Sequence, residues 1–259
     1  MKTIDLNCDI GESFGAYKLG MDEEVMQYIS SANIACGWHA GDPVTMHTTV
    51  ALAARYGNGC GAHPGYPDLL GFGRRSMAVE AEELKDYITY QIGALDGFCR
   101  ANSTSLRHVK PHGSLYHAIL NDEQTAFAVI EAISAMNADL IYVTLAGSKG
   151  EAVACIAKQH GLAVAREAFP DRAYTAEGTL VPRTHPGAVI KDTQEVVNRA
   201  VQMATEGKVT SIDGHTINLQ ADTLCVHGDT PGAVQMVKEI RRLLEDAGIR
   251  VTPMMSSAS

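Results

Sequence analysis

The chain has no apolar run approaching the ~20 residues that a membrane span requires, and its first residues, MKTIDLNCDIGE, pass straight into an acidic motif without a signal-peptide core. Both absences predict a cytoplasmic protein with no membrane partner. Positive charge is the scarcer sign: 21 Lys and Arg against 30 Asp and Glu leave a formal charge of -9. With no long basic stretch, the surface lacks the footprint that phosphate-backbone binding needs, so nucleic acid is not expected either. Cys8, Cys36, Cys60, Cys99, Cys155 and Cys225 include no CxxC pair, and they read as small buried hydrophobes rather than disulfides or a zinc knuckle. The one glycine-rich candidate for a phosphate loop, GSKGEA, lacks the spacing and the terminal Lys-Ser/Thr of a Walker sequence. Nothing therefore marks the chain as binding ATP alone.

Linker-like composition breaks, low-complexity segments and solenoid repeats are missing too, which argues for one sheet and one core. What is present is a β-α alternation. Seven short apolar segments read as strands: TIDLNCD, ANIACGWH, GNGCGAHP, RHVKPHG, LIYVTLAG, LAVAREAF and DTLCVHGD. Amphipathic stretches at helical spacing lie between them, among them DEEVMQYISSA, VTMHTTVALAARYG, VEAEELKDYITYQIGALDGFCRA and DEQTAFAVIEAISAM. Such alternation predicts a parallel sheet. Residues 1–250 are expected to form a single domain, with a hairpin insertion near 208–219 turning at Asp213-Gly214, and 251–259 a flexible tail. FPDRAYTAEGTLVPRTHPGAV holds too many turn formers for regular structure and reads as a long loop.

Four histidines, His39, His63, His112 and His227, fall at predicted C-terminal ends of strands, where parallel α/β folds place their chemistry. The first strand adds Asn7, Asp9 and Glu12. Alternation puts Ile4, Leu6, Cys8 and Ile10 on one face and Asp5, Asn7 and Asp9 on the other; in the fourth strand Lys110 shares a face with His112. So many polar side chains on an inward face are unfavourable unless each finds a partner or a ligand. In HAGDP, Asp42 stands at an N-cap and Pro43 in the first helical turn, and HGDTP repeats the device at His227, Asp229, Thr230 and Pro231. Helix N-termini there would favour an anionic group in the mouth. Asp42 has an equally good reading as a cap and nothing more.

The remaining candidates are weighed the same way. Any single strand-end histidine could be structural, but four converging with Asp9 and Glu12 point to a site. His47, His117, His160, His185 and His215 read as solvated, and Cys8, Cys36 and Cys60 as packing against helices. HPGYPDLLGFGRR reads either as an exposed loop or as a lid bringing Arg74 or Arg75 onto an anionic substrate. DRAYTAEGTLVPR, with Asp171, Arg172 and Tyr174, is a second candidate lid.

DLNCDIGE, CGWHAGD, AHPGYPDLLGFGRR, VKPHGSLY, DRAYTAEGTLVPR and CVHGD, in this order, resemble the signature blocks of the LamB/YcsF family, the 5-oxoprolinase A subunits, from residue 5 to about 230. No polar position in these blocks departs from the family pattern. The resemblance implies an irregular seven-stranded (β/α) barrel of the glycoside hydrolase/deacetylase type. It further implies ATP-dependent opening of 5-oxoproline to glutamate together with B and C subunits, which would supply the ATP handling. Under that reading Asp9 or Glu12 orients or deprotonates water. Lys110 and His112, with His39, His63 or His227, stabilise an oxyanion or a phosphoryl group, ATP having activated the amide oxygen for departure. Asn7, Asp42, Arg74 and Asp229 complete the substrate-binding set. Two rival readings remain: a metal-dependent amidase or deacetylase with a divalent ion on Asp9, His39 and His63, and a non-catalytic regulatory chain that binds a small carboxylate.

Overall fold

A computed structural model describes residues 2–227 and 232–254. Its strands, in chain order, are β1 (Thr3–Ile10), β2 (Ser31–Ala35), β3 (Gly59–His63), β4 (Leu106–Val109), β5 (Ile141–Leu145), β6 (Ala163–Ala168), β7 (Lys208–Thr210), β8 (Thr216–Asn218), β9 (Thr223–His227) and β10 (Arg250–Val251). The first six and β9 are the seven segments expected from alternation, and they form a parallel sheet in the order β1-β2-β3-β4-β5-β6-β9. Pairing of β1 with β9, from Asp5 opposite Thr223 to Asp9 opposite His227, closes it into a barrel. The first two residues of β1 pair instead with β10, so β1 contacts three other strands. β7 and β8 stand apart as an antiparallel hairpin.

Alternation decides which side chains meet which layer. Ile4, Leu6, Cys8 and Ile10 are buried in the outer core with Met46 and Val50 of α2 (Pro43–Tyr56), Ile88 and Ile92 of α3 (Ala81–Ala101) and Ile240 and Leu244 of α8 (Ala233–Asp246). Inside the barrel, Ile141, Val143 and Ala165 form a separate small cluster with Met254. One helix is shorter than its pattern predicts: α1 (Asp22–Met26) stops well before the end of DEEVMQYISSA. Ser31 is drawn into β2 by its pairing with Asn7, and sheet pairing overrides the local helical pattern. Between β6 and α7 (Thr193–Glu206) the chain makes neither helix nor strand, only isolated bridges at Arg172–Val189 and Tyr174–Leu180.

Candidate active site

The inward face of β1 presents three polar residues at successive depths. Asp5, at the bottom, accepts hydrogen bonds from the hydroxyls of Ser30, Ser31 and Thr223. Asn7 above it donates to Thr223 Oγ1 and accepts from Asn33 Nδ2 at 2.7 Å. Asn33 Nδ2 also donates to Asp9 Oδ1 at 2.8 Å, and Asn33 Oδ1 lies 2.8 Å from His108 Nε2. Room for the His108 ring exists because position 61 is glycine: a Cβ there would stand 2.0 Å from His108 Nε2. Buried polar groups need partners, and this ladder supplies them from the bottom of the barrel up to Asp9, except at His108 Nδ1, which has none among the described residues.

Asp9 marks the start of the reactive layer. Lys110, buried, sets its ammonium 2.6 Å from Asp9 Oδ1, 3.1 Å from Glu167 Oε1 and 3.1 Å from Cys225 Sγ. Burial works against that ammonium, but the neighbouring acids, Asp9 foremost, outweigh it and hold the lysine charged well above its ordinary range. Glu167 is pushed upward by burial, with Lys110 pulling it back. Neither Glu167 nor His108 stood among the expected site residues, although both carry a signal: Glu167 alternates with the inward Ala165, and His108 with Lys110 and His112.

Against Asp9 stands a group of three buried imidazoles. His63 Nε2 lies 3.3 Å from Asp9 Oδ2 and 2.9 Å from His112 Nδ1. His39 stacks on His112, their ring centroids 3.7 Å apart, and its Nε2 is 3.3 Å from Glu12 Oε1. Burial first, then the neighbouring histidines, holds His112 well below the usual imidazole range; burial followed by His63 does the same to His39. Glu12, His39, His63 and His112 bring ligand atoms within 4.8 Å of one another and could hold a metal ion. This group differs from the expected Asp9, His39 and His63: Asp9 is bound to Lys110, and Glu12 and His112 take part instead.

The loop after β3 frames this cluster. Gln91 of α3 clamps Gly65 through both its carboxamide atoms, and Asp68 holds Arg75. Phe72 adopts φ 55, a left-handed conformation unusual for an aromatic residue, and its carbonyl accepts a hydrogen bond from His112 Nε2 at 2.8 Å. Gly73 follows at φ 63, where a Cβ would come within 2.7 Å of His39 Cβ and 2.8 Å of His112 Cδ2.

A pocket of about 690 Å³ opens above, with Asp9, His63, Lys110 and His112 in its lining. Its cationic lining includes Arg74, Lys149, Arg172 and Arg183. Of the two lid arginines, Arg75 is tied to Asp68, whereas Arg74 lies over the Phe72 ring and lines the pocket. The irregular segment after β6 supplies the opposite wall, from Phe169 to Thr184. Buried Arg172 braces it by donating to the carbonyls of Ala188 and Val181.

Two expected substrate contacts lie elsewhere. Asn7 is buried in the ladder below the pocket. Asp42 caps α2, accepting from Val44 N, Thr45 N and Gly15 N. Asp229 and the side chain of His227 fall outside the described residues, while the His227 backbone ends β9 opposite Asp9. The cysteines are all free and, apart from exposed Cys155, buried. His47, His117, His185 and His215 are exposed and His160 half-buried. No helix among the described residues is long and apolar enough to cross a membrane.

Comparison with known proteins agrees with this fold. The chain is 55% identical to the 5-oxoprolinase A subunit of Pyrococcus horikoshii over 251 residues, covering 97% of each chain. It is 57% identical to that of Thermococcus onnurineus, again covering 97% of each. The crystal structure of a lactam utilization protein from Thermus thermophilus superposes with a TM-score of 0.91 at 45% identity, covering 97% of this chain and 100% of that one. At 12% identity and a TM-score of 0.53, the catalytic domain of a peptidoglycan N-acetylglucosamine deacetylase from Eubacterium rectale shares the fold, covering 100% of this chain and 90% of its own. The LamB/YcsF family profile matches residues 4–259, and the chain belongs to that family.

Proposed function

We propose that this chain is the A subunit of a 5-oxoprolinase, and that its barrel opens the lactam of 5-oxo-L-proline to L-glutamate with ATP cleavage, in a cytoplasmic complex with B and C subunits. Relatives named as 5-oxoprolinase A subunits, at 55–57% identity along almost the whole chain, support the activity. The observation that carries the placement is the Lys110–Asp9 pair at the pocket floor, flanked by His63.

A lactam is a resonance-stabilised amide, so water adds to its carbonyl carbon only when the oxygen is activated and the water is relieved of a proton. Asp9, with Lys110 on one oxygen and His63 near the other, is placed to orient that water and to take up its proton. The Lys110 ammonium stabilises negative charge developing on the carbonyl oxygen or on a phosphoryl group attached to it. When the C–N bond breaks, the electron pair stays on nitrogen, which takes up a proton to become the amine of glutamate; where the oxygen carries the phosphoryl group, a second water cleaves the resulting acyl phosphate and releases phosphate. Arg74, Arg172, Arg183 and Lys149 suit the substrate carboxylate and a phosphoryl group, and the pocket is larger than a five-membered lactam fills. The missing Walker sequence is consistent with ATP being handled by the partner subunits.

The test is conversion of oxoproline to glutamate with ATP, run with this chain alone and with its candidate B and C partners. Asp9→Asn in the reconstituted complex is expected to lower turnover by ~10²–10⁴-fold with the circular dichroism spectrum of the folded chain retained. Near-normal turnover by that variant would refute the placement.

A further inference from the structure

Two histidines at the pocket floor are fixed in complementary ways. His63 Nδ1 lies 2.6 Å from the Lys110 carbonyl oxygen, and His112 Nε2 lies 2.8 Å from that of Phe72. A carbonyl oxygen can only accept, so both of these ring nitrogens carry the hydrogen. In neutral rings this leaves His63 Nε2 and His112 Nδ1 as bare lone pairs, yet these atoms face each other at 2.9 Å. The surroundings contribute further acceptors: Asp9 Oδ2 is 3.3 Å from His63 Nε2, and Glu12 Oε1 is 3.9 Å from His112 Nδ1. Converging acceptors of this kind require a positively charged species among them.

We propose that this species is a zinc-like divalent cation, held by His63 Nε2, His112 Nδ1 and Glu12 Oε1 with a coordination position open toward the pocket. Zinc binds nitrogen and oxygen at ~2.0–2.2 Å, so one ion bridges atoms up to about 4.2 Å apart. The separations of 2.9 Å and 3.9 Å both fall within that reach. Metal-bound imidazoles characteristically donate their other N–H to a carbonyl or carboxylate, which fixes ring and tautomer. The carbonyls of Lys110 and Phe72 do this here, the latter presented by a residue in the left-handed conformation. His39 is built differently. Among the described residues its Nδ1 has no hydrogen-bond partner, Gly65 lies against it, and its Nε2 is turned to Glu12. It therefore serves as a positioning residue, donating to the Glu12 carboxylate and stacking on His112. Two imidazoles and one carboxylate with an open position form a donor set suited to a catalytic rather than a purely structural ion.

The experiment measures binding rather than turnover, so its outcome is independent of whether the chain opens lactams. Full-length protein stripped with a chelator is titrated with Zn²⁺ by calorimetry and with Co²⁺ by visible absorption. One equivalent is expected, with cobalt bands typical of nitrogen and oxygen coordination. His112→Ala and Glu12→Gln should each weaken binding ~100-fold or more, whereas His39→Gln should fall in the ~10–100-fold range of an outer-shell loss. Circular dichroism in chelator checks that the variants fold, and the wild-type titration stands without them. Absence of cation uptake by the wild-type chain, with a proton shared between the two rings instead, would overturn the proposal. Undiminished binding by the folded His112→Ala and Glu12→Gln proteins would do so as well.

Discussion

Asp5 and Asp9 sit on the same strand and the same inward face, four residues apart, and their surroundings differ in one respect. Asp5, 2% exposed, is met by neutral hydroxyls from Ser30, Ser31 and Thr223, and burial pushes its carboxyl up to about 6. Asp9 is met by the Lys110 ammonium, the Asn33 amide and the His63 ring. A carboxylate surrounded by dipoles at the closed end of a barrel belongs to the architecture. One that shares its layer with a buried cation and opens on a pocket is equipped for chemistry. The contrast teaches that partner charge, more than residue type or strand position, separates the two ends of this barrel.

The largest blow to that contrast is Lys110→Met. It would leave Asp9 and Glu167 in one layer without their cation, and stability should fall by about 3–5 kcal/mol in a denaturant titration, with turnover of the reconstituted complex abolished. Adding Glu167→Gln should restore part of the stability and none of the turnover. Asp5→Asn sharpens the other half. With the folded pKa raised from the ordinary 3.8 to about 6, the protonated form stabilises the fold at low pH, and that contribution is lost as pH rises from about 4 through 6. The asparagine variant should therefore gain on the wild type across that window by on the order of 2–3 kcal/mol, read as the difference between paired melting curves. A widening gap in the opposite direction would contradict the assignment. Asp42→Ala, remote from both layers, should lower stability by ~1 kcal/mol as a lost helix cap and leave the KM for oxoproline unchanged; a raised KM would return Asp42 to the substrate-binding set.

Sequence carried the barrel because period-2 alternation survives in short strands, and it carried much of the site because histidines stand at strand ends. Asp9, His63, Lys110 and His112 come together in the pocket lining, with Glu12 and His39 beside them. Glu167 is buried inside while its neighbour Arg166 pairs with Glu151 on the outside, and the local sequence does not say which of the two adjacent charges turns inward. His108 shares its face with Lys110 and His112, and only its depth in the barrel, against Asn33, sets it apart from them. The pocket's second wall was legible only as a candidate lid around Arg172, since an irregular segment has no period; the placement of Arg172 there depends on tertiary bracing by the Ala188 and Val181 carbonyls. Asn7 shows the converse limit. Alternation gives the face of a side chain but not its depth along the barrel axis.

The closure of the sheet by its first strand has a consequence for biosynthesis. Thr223, which pairs with Asp5 and begins the closing strand, is more than two hundred residues downstream of β1. At ~5–20 residues per second on a ribosome, β1 waits on the order of 10–40 s with one edge unmatched. The pocket floor, where Lys110 rests against Cys225 of that closing strand, is therefore among the last features of the molecule to be assembled.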